Sequence, residues 1–178
     1  MLSTLNQTSP IKEISDMPMA QAGTPVVQEK EYTFSTPLEH GLSYNRVNSD
    51  HSKFKFNLAH SWDFIERSVE EGNTDLIHTE DVVDRIISKE SDLWVSIDES
   101  GDIVGCFVIG AAPYPRSKGI YTEALGGKLN FMDFIPKVEN FYKQCGYEFS
   151  EIIGRKGWER RLKPLGYNFS NITIYKRL

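Results

Sequence analysis

Residues 92–112 read DLWVSIDESGDIVGCFVIGAA. Leu93, Val95 and Ile97 alternate with other side chains, the pattern of a strand with one inward face, before Glu99-Ser100-Gly101-Asp102 supplies turn chemistry. The return run, Ile103 to Ala112, is apolar almost throughout. Such a run is buried on both faces, so the hairpin sets its second strand in the middle of a sheet.

Downstream, Pro113 and Pro115 interrupt pairing, and GIYTEAL (119–125) reads as another strand. Phe131, Phe134, Ile135, Val138, Phe141, Tyr142 and Cys145 then hold helical spacing, with Asp133 as the expected cap, Pro136 in the first turn and Gly146 closing. YEFSEII (147–153) is an expected strand and 157–165 a short helix with Trp158, Leu162 and Leu165 inward. Residues 168–177 are an expected last strand. Upstream, Ser61 is the expected cap of a helix carrying Trp62, Ile65 and Val69 and ending at a left-handed Gly72. Thr79 is the expected cap of a second, with Val82, Val83, Ile86 and Ile87 inward.

Before residue 54 the character changes. Of residues 1–53, 24 are Ser, Thr, Asn, Gln, Pro or Gly, and only Tyr32, Phe34 and Tyr44 are aromatic. So little apolar surface cannot offset ordering entropy alone, so residues 1–53 are expected to be a poorly structured or extended arm and 54–178 the folded domain. Within the arm, TPVVQEKEYTF (24–34) has the best strand character for joining a sheet edge.

The 178 residues carry a net charge of −5, which does not suit a general polyanion binder. No apolar run approaches a membrane span, and the N-terminus lacks the basic start and apolar core of an export signal. Cys106 and Cys145, each in an apolar stretch, are expected to be buried free thiols, and His40, His51, His60 and His78 have no metal spacing. Residues 146–178 carry seven basic and three acidic side chains, leaving −9 on the rest. Arg155, Lys156, Arg160, Arg161 and Lys163 form the dense part, suited to a CoA phosphate, a nucleic-acid backbone or an acidic protein surface; no pattern of specific nucleic-acid recognition accompanies it.

A strand, a long helix and a returning strand imply a right-handed parallel crossover, here joined to an antiparallel hairpin. The expected fold is α/β, a mixed parallel/antiparallel sheet flanked by helices. From residue 61 onward, element order, the hairpin and the ending GRKGWERRLKPLGYNFSNITIYKRL resemble the Gcn5-related N-acetyltransferase (GNAT) fold. The glycine pair Gly126-Gly127 and the stretch Gly154-Arg155-Lys156-Gly157-Trp158 more specifically resemble a small GNAT-like family encoded by tailed bacteriophages. That resemblance implies a location in the infected bacterium's cytoplasm, or incorporation in the virion.

The GNAT resemblance implies acetyl-CoA as cofactor if the domain is active, and none otherwise. In the family's pyrophosphate loop, Q/R-x-x-G-x-G/A, Glu123 stands at the first position, Gly126 at the first glycine and Lys128 at the last small residue. Leu125, Gly126, Gly127 and Lys128 are thus the implied cofactor-binding residues. The other reading of the glycine pair is a bend between strand and helix. Tyr121 and Glu123, two apart on one strand, are the candidate catalytic pair, with Glu123 able to deprotonate an amine; the other reading of Glu123 is an ordinary solvated or salt-bridged carboxylate. Where many family members carry a tyrosine acid this chain has Leu162, and Arg155 stands at the family's asparagine position. Arg155 beside Gly154 also suits a structural clamp on a carboxylate.

Two functions compete at this stage. One is a phage accessory or virion-associated protein, its acyltransferase chemistry lost, docked through the arm to virion or assembly proteins. The other is an acetyl-CoA-dependent N-acyltransferase acting on a host protein or small amine. An open gap between strands 119–125 and 147–153 favours the enzyme; a gap plugged by side chains favours the docking module.

Overall fold

The computed structural model describes residues 30–72, 76–153 and 157–170. Its elements run β1 (Tyr32–Ser35), β2 (Leu42–Val47), α1 (Phe54–Glu71), α2 (Thr79–Ile87), β3 (Ser91–Asp98), β4 (Ile103–Ala112), β5 (Gly119–Gly127), α3 (Phe131–Gln144), β6 (Phe149–Ile152) and α4 (Trp158–Leu162), with a 3₁₀ turn at Lys163–Leu165. The strands form one six-stranded sheet in sequence order, β1 to β6. Every neighbouring pair is antiparallel except β5 and β6, which α3 joins as a parallel crossover.

The central hairpin folds as its pattern dictates. Cys106 and Val108 of β4 pack with Ile65, Val82, Ile86 and Val95 on the α1 and α2 side. Phe107 and Ile109 pack with Trp94, Phe134, Val138 and Leu162 on the α3 and α4 side. A strand apolar on both faces therefore has a core on each.

The sheet begins well before residue 54. β1 and β2, inside the stretch expected to be an arm, are its first strands; residues 1–29 lie outside the described chain. Aromatics tie them down: Phe34 packs on Trp94 and Phe141 at ring distances of 5.6 and 5.0 Å, and Tyr44 is buried against Phe134. The Tyr44 hydroxyl accepts the Asn130 N–H at 3.2 Å, linking β2 to the start of α3. Composition misses this because a few well-placed side chains, Leu42, Tyr44 and Val47 with Phe34 beside them, carry the burial.

Several helix ends differ from expectation. Ser61 does not start α1 but sits buried within it, its hydroxyl donating to Asn57 O at 2.8 Å, which satisfies a polar group without a cap. Gly72 ends α1 in a right-handed conformation, φ −64°. His78, not Thr79, precedes α2, its N–H donating to Asp81 at 2.8 Å. Asn130 caps α3, accepting the Met132 N–H at 3.2 Å, while Asp133 takes the Asn130 amide and His40. Pro136 therefore falls beyond the first turn, where it cannot donate to the carbonyl of Met132, an exposed residue four positions earlier. Gly146, φ +84°, makes the expected left-handed exit. Cys106 is buried, but Cys145, also expected inside, is exposed. Asn168–Ser170 form no strand; 171–178 and the Gly154-Arg155 clamp lie outside the described residues.

Candidate active site

β5 and β6 pair over four residues, from Gly119 with Phe149 to Thr122 with Ile152. There β6 ends, while β5 continues to Gly127 along β4. Past that point lies a cleft of about 260 Å³, its walls including Ala124, Leu125, Ile152 and Trp158 on the strand side and Val69 and Val82 on the helix side. No side chain of the described residues plugs it.

Glu123 and Tyr121 line this cleft. Val108 pairs with Ala124 and Ile109 with Thr122, so Glu123 is the extra residue of a β-bulge, a device that re-aims a side chain. The Tyr121 hydroxyl donates to Glu123 Oε1 at 2.7 Å, the Ser91 hydroxyl donates to the same oxygen at 2.6 Å, and Arg85 Nη1 lies 3.6 Å from it. Arg85 Nη1 also donates to the Tyr121 hydroxyl at 3.0 Å. Only 4% of the Glu123 side chain is exposed, and its Oε2 is buried with no hydrogen-bond partner among the described residues. One carboxylate oxygen is held by three groups and the other is buried without a partner among the described residues. Burial, reinforced by the bond to Glu123 and its charge and opposed by Arg85, pushes the Tyr121 hydroxyl up to about 12, so it keeps its proton at neutral pH.

The sequence pairs Tyr121 with Glu123, but Arg85, Ser91 and Gly110 come from α2, β3 and β4 and carry no local signal of a shared site. Gly110 alone leaves a trace, as a glycine in the middle of a bulky strand. A Cβ there would lie 2.3 Å from Glu123 Oε1 and 2.7 Å from Tyr121 Cε1, so its hydrogen is what lets both side chains cross β4. Gly110→Ala is expected to cost about 1–3 kcal/mol by overpacking, read as a lower urea midpoint at unchanged slope. An unchanged midpoint would mean that Glu123 does not occupy this position.

The glycine pair lies at the end of β5, where neighbouring backbone comes close. Gly126 and Gly127 belong to β5, paired with Cys106 and Gly105. A Cβ on Gly126 would meet Phe64 O at 2.5 Å, so this glycine lets α1 lie directly on the strand. Gly127, φ +84°, similarly abuts Gly105 Cα. Around them the amides are taken: Leu125 N–H by Ser68 Oγ at 2.8 Å, Lys128 N–H by Val104 O at 2.8 Å, and Asn130 N–H by Tyr44. For acetyl-CoA, the apolar cleft fits a thioester and its slender arm, whereas the amides of Leu125, Lys128 and Asn130 are not free for a pyrophosphate.

Leu162 is buried in the core, and the Tyr167 hydroxyl, which burial holds above its usual range, donates to Glu139 at 2.6 Å and bonds Ser150 at 2.7 Å, pinning the chain after α4 to α3 and β6. Cys106 is enclosed against Ser61 O, its thiol pushed up to about 12 by burial. Among the described residues no cluster of His, Cys, Asp and Glu could hold a metal, and no helix is long and apolar enough to cross a membrane.

No protein-family model matches the sequence, and no curated protein does. Solved structures do. An aminoglycoside acetyltransferase from an uncultured soil metagenomic sample, solved with trehalose, matches at TM-score 0.53 and 17% identity, over 80% of this chain and 99% of that one. A predicted acetyltransferase from Clostridium acetobutylicum, solved with acetyl-CoA, matches at 0.55 and 11%, over 76% and 96%. A GCN5-related N-acetyltransferase from Ralstonia eutropha JMP134 matches at 0.55 and 13%, over 77% and 99%. The fold is that of the GNAT acetyltransferases. At such identities the likeness establishes architecture, and the reaction must be argued from the cleft.

Proposed function

We propose that this protein is an N-acyltransferase that moves an acyl group from a thioester such as acetyl-CoA to an amine. The observation that carries this reading is the open cleft beside β5 with Glu123 in its lining, one oxygen of which has no hydrogen-bond partner among the described residues. Glu123 accepts the proton the acceptor amine loses, while Tyr121, Ser91 and Arg85 hold the other oxygen in place. Ala124, Leu125, Ile152 and Trp158 would flank the thioester arm. Lys128 and the exposed Arg160, Arg161 and Lys163 offer cations for its phosphates in place of the missing free amides. Acetyl-CoA supplies the activated carbonyl when bound.

The second reading is a catalytically silent docking module, such as a bacteriophage accessory or virion-associated protein working from the infected cell's cytoplasm. The committed amides at Leu125, Lys128 and Asn130 and the buried Leu162 at the family's acid position favour it. Release of free thiol from acetyl-CoA in the presence of small amines separates the two. Amine-dependent release, lost in Glu123→Gln, is the expected result; no release with any acceptor would leave the docking module.

A further inference from the structure

Resting on the acyltransferase reading, we infer that the acceptor is a free α-amino acid with an apolar side chain, its amine bound by Glu123 and its carboxylate by Arg85. Two opposite, incompletely satisfied charges share one cleft. Glu123 brings Oε2, buried and without a hydrogen-bond partner among the described residues. Arg85, on α2, uses only Nη1, toward Tyr121 and Glu123; among the described residues its Nε and Nη2 have no hydrogen-bond partner, and its side chain is 38% exposed. Nη1 and Oε1, which face each other, lie 3.6 Å apart, so the carboxylate and the guanidinium are neighbours and a ligand that engages both must carry its ammonium and its anion a few bonds apart. An α-amino acid does so, and a peptide N-terminus does not. The guanidinium fork suits a carboxylate better than a point charge would. Around them Val69, Ile77, Val82 and Ala124 form an apolar wall for a branched side chain. Glu71 also lines the cleft, which makes a plain amine the necessary control.

The test is calorimetric titration of the full chain with leucine and with isoamylamine, the same molecule without its carboxylate, in wild type, Arg85→Gln and Arg85→Lys. Leucine is expected to bind more tightly than isoamylamine, to lose about tenfold or more in Arg85→Gln, and to recover part of that loss in Arg85→Lys. Isoamylamine is expected to change less than leucine in Arg85→Gln, since Ser91 and Tyr121 still hold Glu123, and thermal melts show that the variants are folded. Equal wild-type affinity for the two ligands, equal weakening of both in Arg85→Gln, or no leucine binding would each overturn the inference. Acetyl-CoA, titrated separately, distinguishes the two failures: leucine binding without acetyl-CoA binding keeps the amino-acid site and overturns the thioester reading.

Discussion

Glu123→Gln is expected to lower the rate of acyl transfer about 10²–10⁴-fold, the usual contribution of a positioned general base. The amide is close in shape to the carboxylate, so Ser91 and Tyr121 can still donate to its oxygen at the positions that hold Oε1 now. What vanishes is the basic Oε2 and the negative charge facing Arg85. Initial rates of thiol release at saturating acceptor, with thermal melts run in parallel, separate this loss from unfolding. A variant that melts like wild type and turns over within twofold of it would make Glu123 a structural carboxylate.

Trp94→Ala is expected to cost about 3–5 kcal/mol, a large part of the roughly 5–15 kcal/mol that holds a domain folded. Trp94 is fully buried, stacked on Phe107 at 5.5 Å and edge-on to Phe141 at 5.4 Å, with Phe34 against it. Its indole N–H donates to the Tyr142 hydroxyl at 3.1 Å, which donates to Asp92 at 2.6 Å. Asp92 in turn pairs with Arg46 of β2. Truncation thus opens a cavity where β1, β3, β4 and α3 meet and also removes a donor from a buried polar chain. Burial and the neighbouring Asp92 both hold the Tyr142 proton firmly, so the hydroxyl remains a donor at all ordinary pH. A loss under 1 kcal/mol in the urea midpoint would contradict this packing.

These residues show what could be read in advance. The hairpin was legible because periodicity records burial: Leu93, Val95 and the unbroken apolar run of β4 point to a central strand with a core on each face, and the two cores are there. The parallel crossover was legible because the stripe from Phe131 to Tyr142 needs a sheet beneath it. β1 and β2 were not, because Tyr44 becomes a core residue only through a partner at the start of α3, 86 positions away. Helix ends failed for local reasons, since Ser61 can bond within a helix as readily as start one.

The site divided the same way. Tyr121 and Glu123 could be paired from their spacing, although the bulge that frees Glu123 from the ladder appears only in the pairing of β5 with β4. Arg85 and Ser91 reach the same carboxylate from separate elements, a juxtaposition that only tertiary structure creates. Gly126 and Gly127, read as a phosphate cradle or a bend, form a seam against Phe64 and Gly105, because close backbone approach, bends and phosphate binding call for the same residue.

Binding of acetyl-CoA by the purified full chain, followed by calorimetry, tests the acyltransferase reading most directly. The control is Ile153→Glu, at a cleft residue that is 73% exposed, where a carboxylate repels the phosphates without disturbing the core. Wild-type binding in the micromolar range, weakened at least about tenfold in Ile153→Glu, is the predicted result. No heat of binding up to millimolar acetyl-CoA would contradict it and leave the cleft without a thioester to hold.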